Sequence, residues 1–587
     1  MSSLDTSPSQ YVVRVDRATG RELPRPIAPD ELLVHSHRDR HLADLAAQLL
    51  ASRLVTTTGS EWLARHTLRG LSRLGRLVGL AETSELFRFR PSVVVGEAEA
   101  GLRAETLRRE AGQALRALGS SRGFRVLLTG ATGFLGKELM KQCAVLPRIE
   151  EVVCLVRTRR VKRPRDGRVV VKGARQRGAA LLRELRIARR ARRRFRFVSG
   201  DVERPDLGLG SREARRLETI ITHVVHCAAS VAFDDTYERS FRANVVGARH
   251  ALAFSLRLQR APASPFVAHV AIETSYAHGR DRRDVAREDC LDFPRHYYNN
   301  FYELTKAMAS METERAMLER GLRVAQLLPS IVIGNSRTGN NHGDTKVVNA
   351  PVNAFGRIKE ALEGLRPGGW RDRVRALLLG AIGRSFPADP SAELNLVPVD
   401  RVASGILAAL EVPEAVGTRI HLATDRRIRS AEMARLVREE LGVDVRMSDP
   451  TLARVVTMPL VTAALERLGE PKLARALGRL SAVFAAYSEW GQPVHGVGND
   501  VTVLGLPQLR PDTAQAFRML CRHNRFVQEF GRIQDAYEIA RRERVWEEAI
   551  DALEFEIGRP AASLPPRAFE RLIAKRIELR RFRRLAA

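Results

Sequence analysis

Residues 124–136, FRVLLTGATGFLG, constrain the fold of this 587-residue chain more than any other stretch. The apolar run at 124–128 ends in Thr129 and is followed at once by a glycine turn, which is the pattern of a buried parallel strand. Gly130, Gly133 and Gly136 recur at every third position, and apolar residues at helical spacing follow. Three glycines alone could punctuate a loop, but this strand–turn–helix context is the one in which free backbone N–H groups hold a pyrophosphate. The stretch therefore predicts a dinucleotide-binding fold.

Strand and helix patterns alternate after residue 124, which is typical of an α/β protein with a parallel sheet. The predicted strands are 151–156, 195–200, 223–226, 265–271 and 420–424, and the predicted helices are 241–258, 301–320 and 431–441, the last ended by Gly442. We expect a Rossmann-type doubly wound parallel sheet with a smaller substrate-binding part.

The flanking regions predict two further units. Residues 1–120 are interpreted as a polar arm (2–29, with a short strand at 11–15) followed by a helical extension at 42–54, 62–80 and 104–118. The extension could dock a partner or form oligomers, and packing against the main domain is the default. Residues 121–445 are predicted to bind nucleotide and substrate, and residues 446–587 to form a mainly helical C-terminal domain.

The composition narrows the partners and the compartment. A net charge of +29 and a pI near 11.0 favour a polyanionic ligand, an anionic membrane or simply a solvated basic surface. Basic residues are not interleaved with aromatic ones, so nucleic acid is not expected. The five cysteines form no CxxC pair, which argues against zinc and disulfides and fits a cytoplasmic protein. Residues 568–584 could lie on an anionic bilayer, giving peripheral membrane contact, or form a solvated amphipathic helix.

The second predicted strand ends at Arg157, with Arg159 and Arg160 close behind. An acidic residue about 20 positions beyond the glycines would bind a ribose 2′-hydroxyl, whereas a guanidinium suits a 2′-phosphate. The strand end therefore favours NADPH over NADH. A solvated basic loop is the alternative, because residues 159–194, interpreted as a linker and a helix, are basic throughout.

Tyr302 and Lys306 lie four positions apart in a predicted helix, so their side chains share one face. A nearby cation lowers the pKa of a tyrosine from about 10, which creates a general acid able to protonate a carbonyl oxygen. The same spacing also occurs by chance on helices that only pack against a surface. Its position downstream of a nucleotide fold favours the catalytic interpretation.

Together these stretches resemble the extended short-chain dehydrogenase/reductase superfamily, whose members carry a TGxxGxxG turn and a Tyr-x-x-x-Lys helix. Further stretches are similar to the fatty acyl-CoA reductase and thioester reductase branch: TGATGFLGKELM, CLVR, GDVERPDLGLG (200–210), HCAASVAFD (226–234), NVVG (244–247), LLPSIVIG (327–334) and NLVPVDRV (395–402). The resemblance covers about residues 124–445.

The resemblance implies a catalytic set. Thr274 would hold the substrate carbonyl, with Ser275 as the alternative, Tyr302 would donate the proton, and Lys306 would tune Tyr302 and anchor the ribose. Glu273 stands where the branch commonly has serine. Asn244 would support the active-site helix or only bend its own helix, and residues 335–394, with a helical piece at 373–382, would form the substrate side.

The resemblance also implies how NADPH would be held. The pyrophosphate would lie on Gly130, Thr132, Gly133, Phe134, Leu135 and Gly136, the 2′-phosphate on Arg157, the adenine on Asp201 and Val202, and the nicotinamide side on Ala228, Ala229, Pro329 and Ile331.

The implied activity is NADPH-dependent reduction of a fatty acyl thioester, on coenzyme A or acyl carrier protein, to fatty aldehyde or fatty alcohol. The basic composition suits the phosphates of coenzyme A or an acidic carrier protein. Two alternatives stay open: an extended reductase acting on another carbonyl or a nucleotide-sugar, and a nucleotide-binding scaffold without turnover.

Overall fold

The computed structural model describes residues 6–16, 18–33, 85–90, 96–119, 123–162, 169–233, 235–279, 286–289, 298–344, 346, 348–349, 351–353, 355, 386–388, 390–424, 426–448, 458–467, 498–507 and 512–530. The described strands are β1 (Val12–Asp16), β2 (Glu22–Leu23), β3 (Glu85–Phe89), β4 (Phe124–Thr129), β5 (Ile149–Val156), β6 (Arg159–Lys162), β7 (Val169–Lys172), β8 (Phe195–Ser199), β9 (His223–His226), β10 (Ala268–Ile272), β11 (Val324–Pro329), β12 (Ile331–Ile333), β13 (Phe386–Pro387), β14 (Glu393–Leu394), β15 (Leu396–Pro398), β16 (Arg419–Leu422), β17 (Ile428–Arg429) and β18 (Met447–Ser448). The described α-helices are α1 (Glu97–Leu118), α2 (Phe134–Val145), α3 (Ala174–Glu184), α4 (Arg189–Arg192), α5 (Ser211–Glu218), α6 (Tyr237–Phe241), α7 (Gly247–Arg260), α8 (Phe301–Leu318), α9 (Val399–Ala408), α10 (Ser430–Leu441), α11 (Met458–Arg467), α12 (Asn499–Thr502) and α13 (Thr513–Phe530).

The centre of the molecule is a seven-stranded sheet in the order β16-β11-β10-β9-β4-β5-β8, with every neighbouring pair parallel. The chain runs outward from β4 to β5 and β8 on one side, and from β9 to β16 on the other. The strand order therefore reverses between β4 and β9, and in sheets of this kind ligands bind at the carboxyl ends of the strands at that point. The predicted α/β class and the doubly wound parallel sheet are confirmed.

Both faces of the sheet are covered, because side chains alternate along each strand. Val126 and Leu128 of β4 pack into one apolar cluster with Met140 of α2. Leu127, between them, packs into the opposite cluster with Leu217 of α5 and Phe254 of α7. A near-continuous apolar strand is thus explained by two cores, one on each face.

A second apolar cluster forms the smaller part of the molecule. It joins Ile333 of β12, Leu396 of β15 and Leu436 of α10 to Phe517 of α13, a helix from the C-terminal region. Short strand pairs support this cluster: β12 pairs with β15 and β13 with β18 in parallel, and β14 pairs with β17 antiparallel.

Four predicted helical stretches, 42–54, 62–80, 373–382 and 568–584, lie outside the described residues.

The short strand expected at 11–15 in the polar arm 2–29 is present as β1, but the arm is packed against the main domain where the structure describes it. Strand β1 pairs antiparallel with both β2 and β3 in a small sheet. Tyr11 and Val12 are fully buried against Phe241 and Met308. The Tyr11 hydroxyl also donates a hydrogen bond to Glu312 of α8 at 2.8 Å. Burial of this short apolar run against the main domain orders the segment despite its polar surroundings.

The basic segment 159–194 also differs from its prediction as a linker and a helix. It begins with an antiparallel hairpin of β6 and β7, and only then continues into α3 and α4. Arginine is common in all of these elements, so composition could not distinguish the hairpin from the helices.

Within the described residues, none of the helices combines the length and apolarity that a membrane span requires.

Candidate active site

The glycine turn lies in the crevice between β4 and β9, and its glycines are needed there. Gly130 has φ +75°, and a Cβ on it would lie 2.7 Å from the carbonyl carbon of Cys227, which follows β9. A Cβ on Gly136 would overlap the carbonyl oxygen of Gly130. Side chains at either position would push the turn away from the sheet.

The start of α2 fits an anionic group. Gly133 precedes the helix as its N-cap and provides no side-chain hydrogen bond to it. The first backbone N–H groups of a helix have no partner within the helix, and the helix dipole favours negative charge at this end. A backbone cradle that a Cβ would fill, followed by an uncapped helix start, is what a dinucleotide pyrophosphate requires.

A cavity of about 230 Å³ opens beside this turn. Many of the predicted site residues line it: Gly130, Gly133, Phe134, Leu135, Gly136, Ala229, Thr274, Tyr302, Lys306, Pro329 and Ile331. The fold thus brings together residues from the ends of β4, β9, β10 and β11 and from α8.

The other predicted residues lie outside the lining of this cavity. Thr132 is exposed on the turn, and the Ala228 N–H donates a hydrogen bond to the Thr129 hydroxyl at 3.1 Å. Arg157 lies just beyond β5, and Asp201 and Val202 follow β8; both strands lie on the side of β4 away from β9.

Tyr302 is a half-buried phenol next to the predicted carbonyl-binding residue. Its hydroxyl is hydrogen-bonded to Thr274, and its ring packs edge-on against Phe233 with centroids 5.5 Å apart. Burial raises the pKa of Tyr302 to about 12, the Thr274 hydrogen bond lowers it and the charge of Glu303 raises it further. The predicted lowering below the ordinary value is therefore wrong for this structure, because burial outweighs the polar neighbours.

Lys306 lies on the same helix, one turn after Tyr302, and is 5% exposed. Its ammonium donates a 2.7 Å hydrogen bond to the carbonyl oxygen of Ile272, at the end of β10. Burial lowers the pKa of Lys306, while the neighbouring Glu273 and Cys227 raise it. The lysine is thus held by the strand end, with its charge facing a carboxyl group.

The structure separates Thr274 from Ser275, the alternative carbonyl-binding residue. Thr274 lines the cavity, and its hydroxyl contacts the Pro329 carbonyl at 3.4 Å as well as Tyr302. Ser275 is fully buried at the start of the 3₁₀ turn Ser275–His278 and does not line the cavity. The geometry favours Thr274.

Asn244 joins the loop after β9 to the helix that carries Tyr302. Its side-chain oxygen accepts from the Ser230 N–H at 2.7 Å, and its amide donates to the Thr305 hydroxyl at 2.9 Å. It lies in a single π-helical turn, Arg242–Val246, between α6 and α7. Such turns are frequent at functional sites. The support of α8 by Asn244 is thus seen directly in these contacts.

Three guanidinium groups converge at the end of β5. Arg177 of α3 donates a hydrogen bond to the carbonyl oxygen of Arg157. Burial and the positive charges of Arg159 and Arg157 together lower the pKa of Arg177. Glu203 lies 3.5 Å from Arg157, which is 65% exposed at its side chain. The cluster carries more positive than negative charge and can hold an anion.

Sequence reasoning missed several residues of the cavity as functional candidates: Val231, Phe233, Ile272, Glu273, Tyr276, Val332, Asp344 and Lys346. Most are sequence neighbours of predicted residues, and their place at strand ends could have indicated them. Asp344 and Lys346 lie within residues 335–394, which the resemblance assigns to the substrate side, but the sequence did not single out either residue.

Comparisons with known proteins agree with this geometry. A family model described as Male sterility protein matches residues 128–359. Fatty acyl-CoA reductase 2 of Homo sapiens is 24% identical over 318 residues, which cover 49% of this chain and 54% of that protein. Fatty acyl-CoA reductase wat of Drosophila melanogaster is 23% identical over 309 residues, which cover 48% of this chain and 53% of that protein. The chain thus spans about half the length of each of these two relatives.

Among solved structures, the terminal R domain from the myxalamid PKS-NRPS biosynthetic pathway is similar in fold. It is 24% identical, with a TM-score of 0.52, and the match covers 72% of this chain and 97% of that domain. The family model and the two relatives indicate an oxidoreductase that uses a nicotinamide cofactor, and the R domain shows the same fold. The part of the chain that carries the candidate site thus resembles the extended short-chain dehydrogenase/reductase superfamily, in its fatty acyl-CoA reductase and thioester reductase branch, as the sequence predicted.

Proposed function

We propose that the chain reduces a fatty acyl thioester with NADPH, giving a fatty aldehyde or a fatty alcohol. The observation that carries the proposal is the meeting of Thr274, Tyr302 and Lys306 in one cavity beside the glycine turn. A hydrogen-bond donor for a carbonyl oxygen, a proton donor and a cation are the groups that carbonyl reduction requires. We assign this chemistry to residues 121–445.

Bound NADPH would supply a hydride to the thioester carbonyl carbon. Thr274 holds the carbonyl oxygen by a hydrogen bond, and Tyr302 transfers its phenolic proton to that oxygen as negative charge develops there. Lys306 stays protonated, binds the ribose hydroxyls and stabilises the phenolate that forms. The product is a hemithioacetal, which collapses to an aldehyde and a free thiol. A second reduction of the aldehyde in the same site would give the primary alcohol.

The guanidinium cluster at the end of β5 supports NADPH as the cofactor. Burial lowers the pKa of Arg177, and the positive charges of Arg159 and Arg157, which repel its guanidinium, lower it further. A 2′-phosphate would bring two negative charges to this cluster and relieve the repulsion, whereas a ribose hydroxyl would not. Asp201 and Val202, on the next strand along, would contact the adenine.

The lining of the cavity supports an acyl substrate. Apart from the catalytic groups it is mostly apolar, with Val231, Phe233, Ile331 and Val332 among its side chains. Apolar lining with a few convergent polar groups suits an alkyl chain attached to a reactive carbonyl. The similarity to fatty acyl-CoA reductase 2 supports the same class, and the net charge of +29 suits either coenzyme A phosphates or an acidic carrier protein.

The decisive experiment measures NADPH oxidation by the purified chain with acyl-CoAs of increasing length and with an acyl carrier protein thioester. The lipid product is extracted and identified as aldehyde or alcohol. Tyr302→Phe removes the proton donor and is expected to lower kcat by about a hundredfold or more. Tyr298→Phe is the control, since Tyr298 is a more deeply buried tyrosine whose hydroxyl donates to the Ala277 carbonyl outside the cavity lining.

Equal loss in both variants would mean that the phenol at 302 has only a structural role. NADPH binding without oxidation by any acyl thioester would contradict the proposal and leave another carbonyl substrate or a binding role.

A further inference from the structure

We infer that Glu273 is a positioning residue, which keeps Lys306 protonated and in place beside Tyr302. This inference rests on the proposed function, because it concerns the lysine of the same site. Glu273 is a carboxyl group in the wall of the cavity, and the reaction proposed above does not use it directly.

The fold places Glu273 immediately after Ile272, whose carbonyl oxygen holds the Lys306 ammonium. Its side chain is 6% exposed, and the Ser310 hydroxyl donates a hydrogen bond to its Oε2. Ser310 follows Lys306 by one turn of α8. The carboxyl group and the ammonium are thus both anchored between the end of β10 and one face of α8.

The second carboxyl oxygen is still available. Among the described residues, Oε1 of Glu273 is buried without a hydrogen-bond partner. A buried carboxyl oxygen without a partner is costly, so its retention calls for a compensating interaction. Burial raises the pKa of Glu273, and the positive charge of Lys306 is the compensation, because it counteracts burial and favours the ionised form.

The charges around the pair are few. Glu273 is faced by Lys306, Ser310 and Thr313 from α8 and by Arg419 from β16. Arg419 already forms a 2.6 Å ion pair with Glu314. Lys306 is faced by Glu273, by Cys227 after β9, and by His226, which burial keeps neutral. In the part of the chain that the structure describes, no carboxylate forms a direct ion pair with Lys306, so Glu273 is the carboxyl group that supports its charge through space.

This support matters for the reaction. Burial alone favours the neutral amine. A neutral Lys306 would no longer stabilise the phenolate of Tyr302, so the proton transfer would slow. The carboxylate of Glu273 counteracts burial and extends the pH range over which Lys306 carries its charge.

A double-mutant cycle tests the coupling without any assay of turnover. Urea unfolding midpoints are measured for the full chain, Glu273→Gln, Lys306→Met and the double variant. Each single change leaves the other charge buried without its counter-charge, so the double variant is expected to shift the midpoint by less than the sum of the single shifts. Additive shifts would overturn the inference, whether or not the protein proves to be a reductase.

A pH profile then tests the effect on the reaction. Relative to the wild type, kcat of Glu273→Gln is expected to fall by about tenfold between pH 7 and pH 9, since Lys306 loses its proton at a lower pH. Glu273→Asp retains the charge and is expected to keep the wild-type profile. Glu273→Ser is the smaller neutral replacement if the glutamine variant does not fold.

Glu312→Gln is the matched control. Glu312 lies on the same helix but accepts the Tyr11 hydrogen bond and pairs with Arg249 at 3.0 Å, outside the cavity lining. Its loss is expected to lower the unfolding midpoint without changing the pH profile. An unchanged profile in Glu273→Gln, with an active wild type, would also overturn the inference. An inactive wild type would refute the proposed function alone, and the urea cycle would still decide the coupling.

Discussion

Arg157 determines how the carboxyl end of β5 would meet the ribose of a dinucleotide. Its guanidinium is largely exposed, and Arg159 and Arg177 lie close enough to repel each other across it. An exposed guanidinium costs little to desolvate, so most of its attraction for a phosphate would appear as binding free energy. In the proposed function, selectivity for NADPH would therefore depend on a few side chains at one strand end.

We predict that Arg157→Ser weakens NADPH binding by about tenfold, the order expected for losing one charge-assisted hydrogen bond. Binding of NADH, which lacks the 2′-phosphate, is expected to change little. Fluorescence titration of both cofactors measures the two dissociation constants. Arg183→Ser is the control, because Arg183 lies on α3 but donates to the Ala179 carbonyl of its own helix. A parallel loss of NADH affinity would contradict recognition of the 2′-phosphate.

The placement of site residues could be predicted from the sequence where local spacing determines it. Their pKa values could not. The spacing of Tyr302 and Lys306 correctly predicts a shared helix face, and the structure places both in one cavity. Their pKa shifts come from burial, which depends on β9, β10 and β11 packing around α8. Glu273 could be named from sequence as an unusual residue, but its hydrogen bond to Ser310 joins elements 37 positions apart.

At the scale of elements, the unit β4–turn–α2 depends on close packing of backbone against backbone. Gly136 lies in the first turn of α2, directly over Gly130, so a side chain at this position must displace the glycine turn. The neighbouring ends of β4 and β9 are paired in register, Thr129 opposite His226, and leave the turn little freedom to move.

We predict that Gly136→Ala destabilises the chain by about 1–3 kcal/mol, as overpacking does, and weakens binding of either dinucleotide. Gly101→Ala is the matched control in an exposed helix position of α1, where an added Cβ meets nothing within 4 Å. That change is expected to stabilise by up to about 1 kcal/mol, because alanine favours helix. Urea unfolding and cofactor titration measure both. A neutral Gly136→Ala variant with unchanged cofactor affinity would contradict close packing at this turn.

Strands and helices could be predicted from the sequence where the periodicity and turn residues that mark them lie within the element itself. The strands and helices between 124 and 334 mostly lie within a few residues of their predicted bounds, because each carries its own periodicity and its own turn residues. The predicted helix 241–258 proved to be α6, a π turn and α7 in succession, and Asn244 in the π turn contacts both Ser230 and Thr305. The β6–β7 hairpin was missed because its residues are as basic as those of the helices that follow.

At the scale of the whole molecule, order depends on contacts between distant segments. Strand β1 pairs with β3, more than 70 positions later, and Tyr11 reaches Glu312 on α8. Such pairings leave no periodic signal within either segment, which is why the N-terminal region was interpreted as an arm. The same long-range packing buries three histidines at the centre of the main sheet: His223 and His226 on β9 and His269 on β10.

These buried histidines make the stability of the molecule depend on pH. Burial lowers the pKa of His223 and of His269 to about 3, and that of His226 falls well below its ordinary value of 6.5. The unfolded chain therefore binds protons below about pH 6.5 that the folded chain does not accept until about pH 3. The stabilising contribution is fully present above the unfolded pKa and is lost as the pH falls toward the folded one. Each histidine contributes a slope of about 1.4 kcal/mol per pH unit within that window.

His269→Asn isolates one of these contributions. Buried carboxyls such as Glu273 and Asp400, whose pKa burial raises, act in the opposite direction, so only a comparison between variants is informative. The variant is expected to be less stable at pH 7, because it loses ring packing and the 2.7 Å contact with Ser255. On going from pH 7 to pH 5, its difference in unfolding free energy from the wild type is expected to narrow by about 2 kcal/mol, as measured from urea midpoints. A difference that stays constant over this range would mean that His269 takes up its proton in the folded sheet as readily as in the unfolded chain.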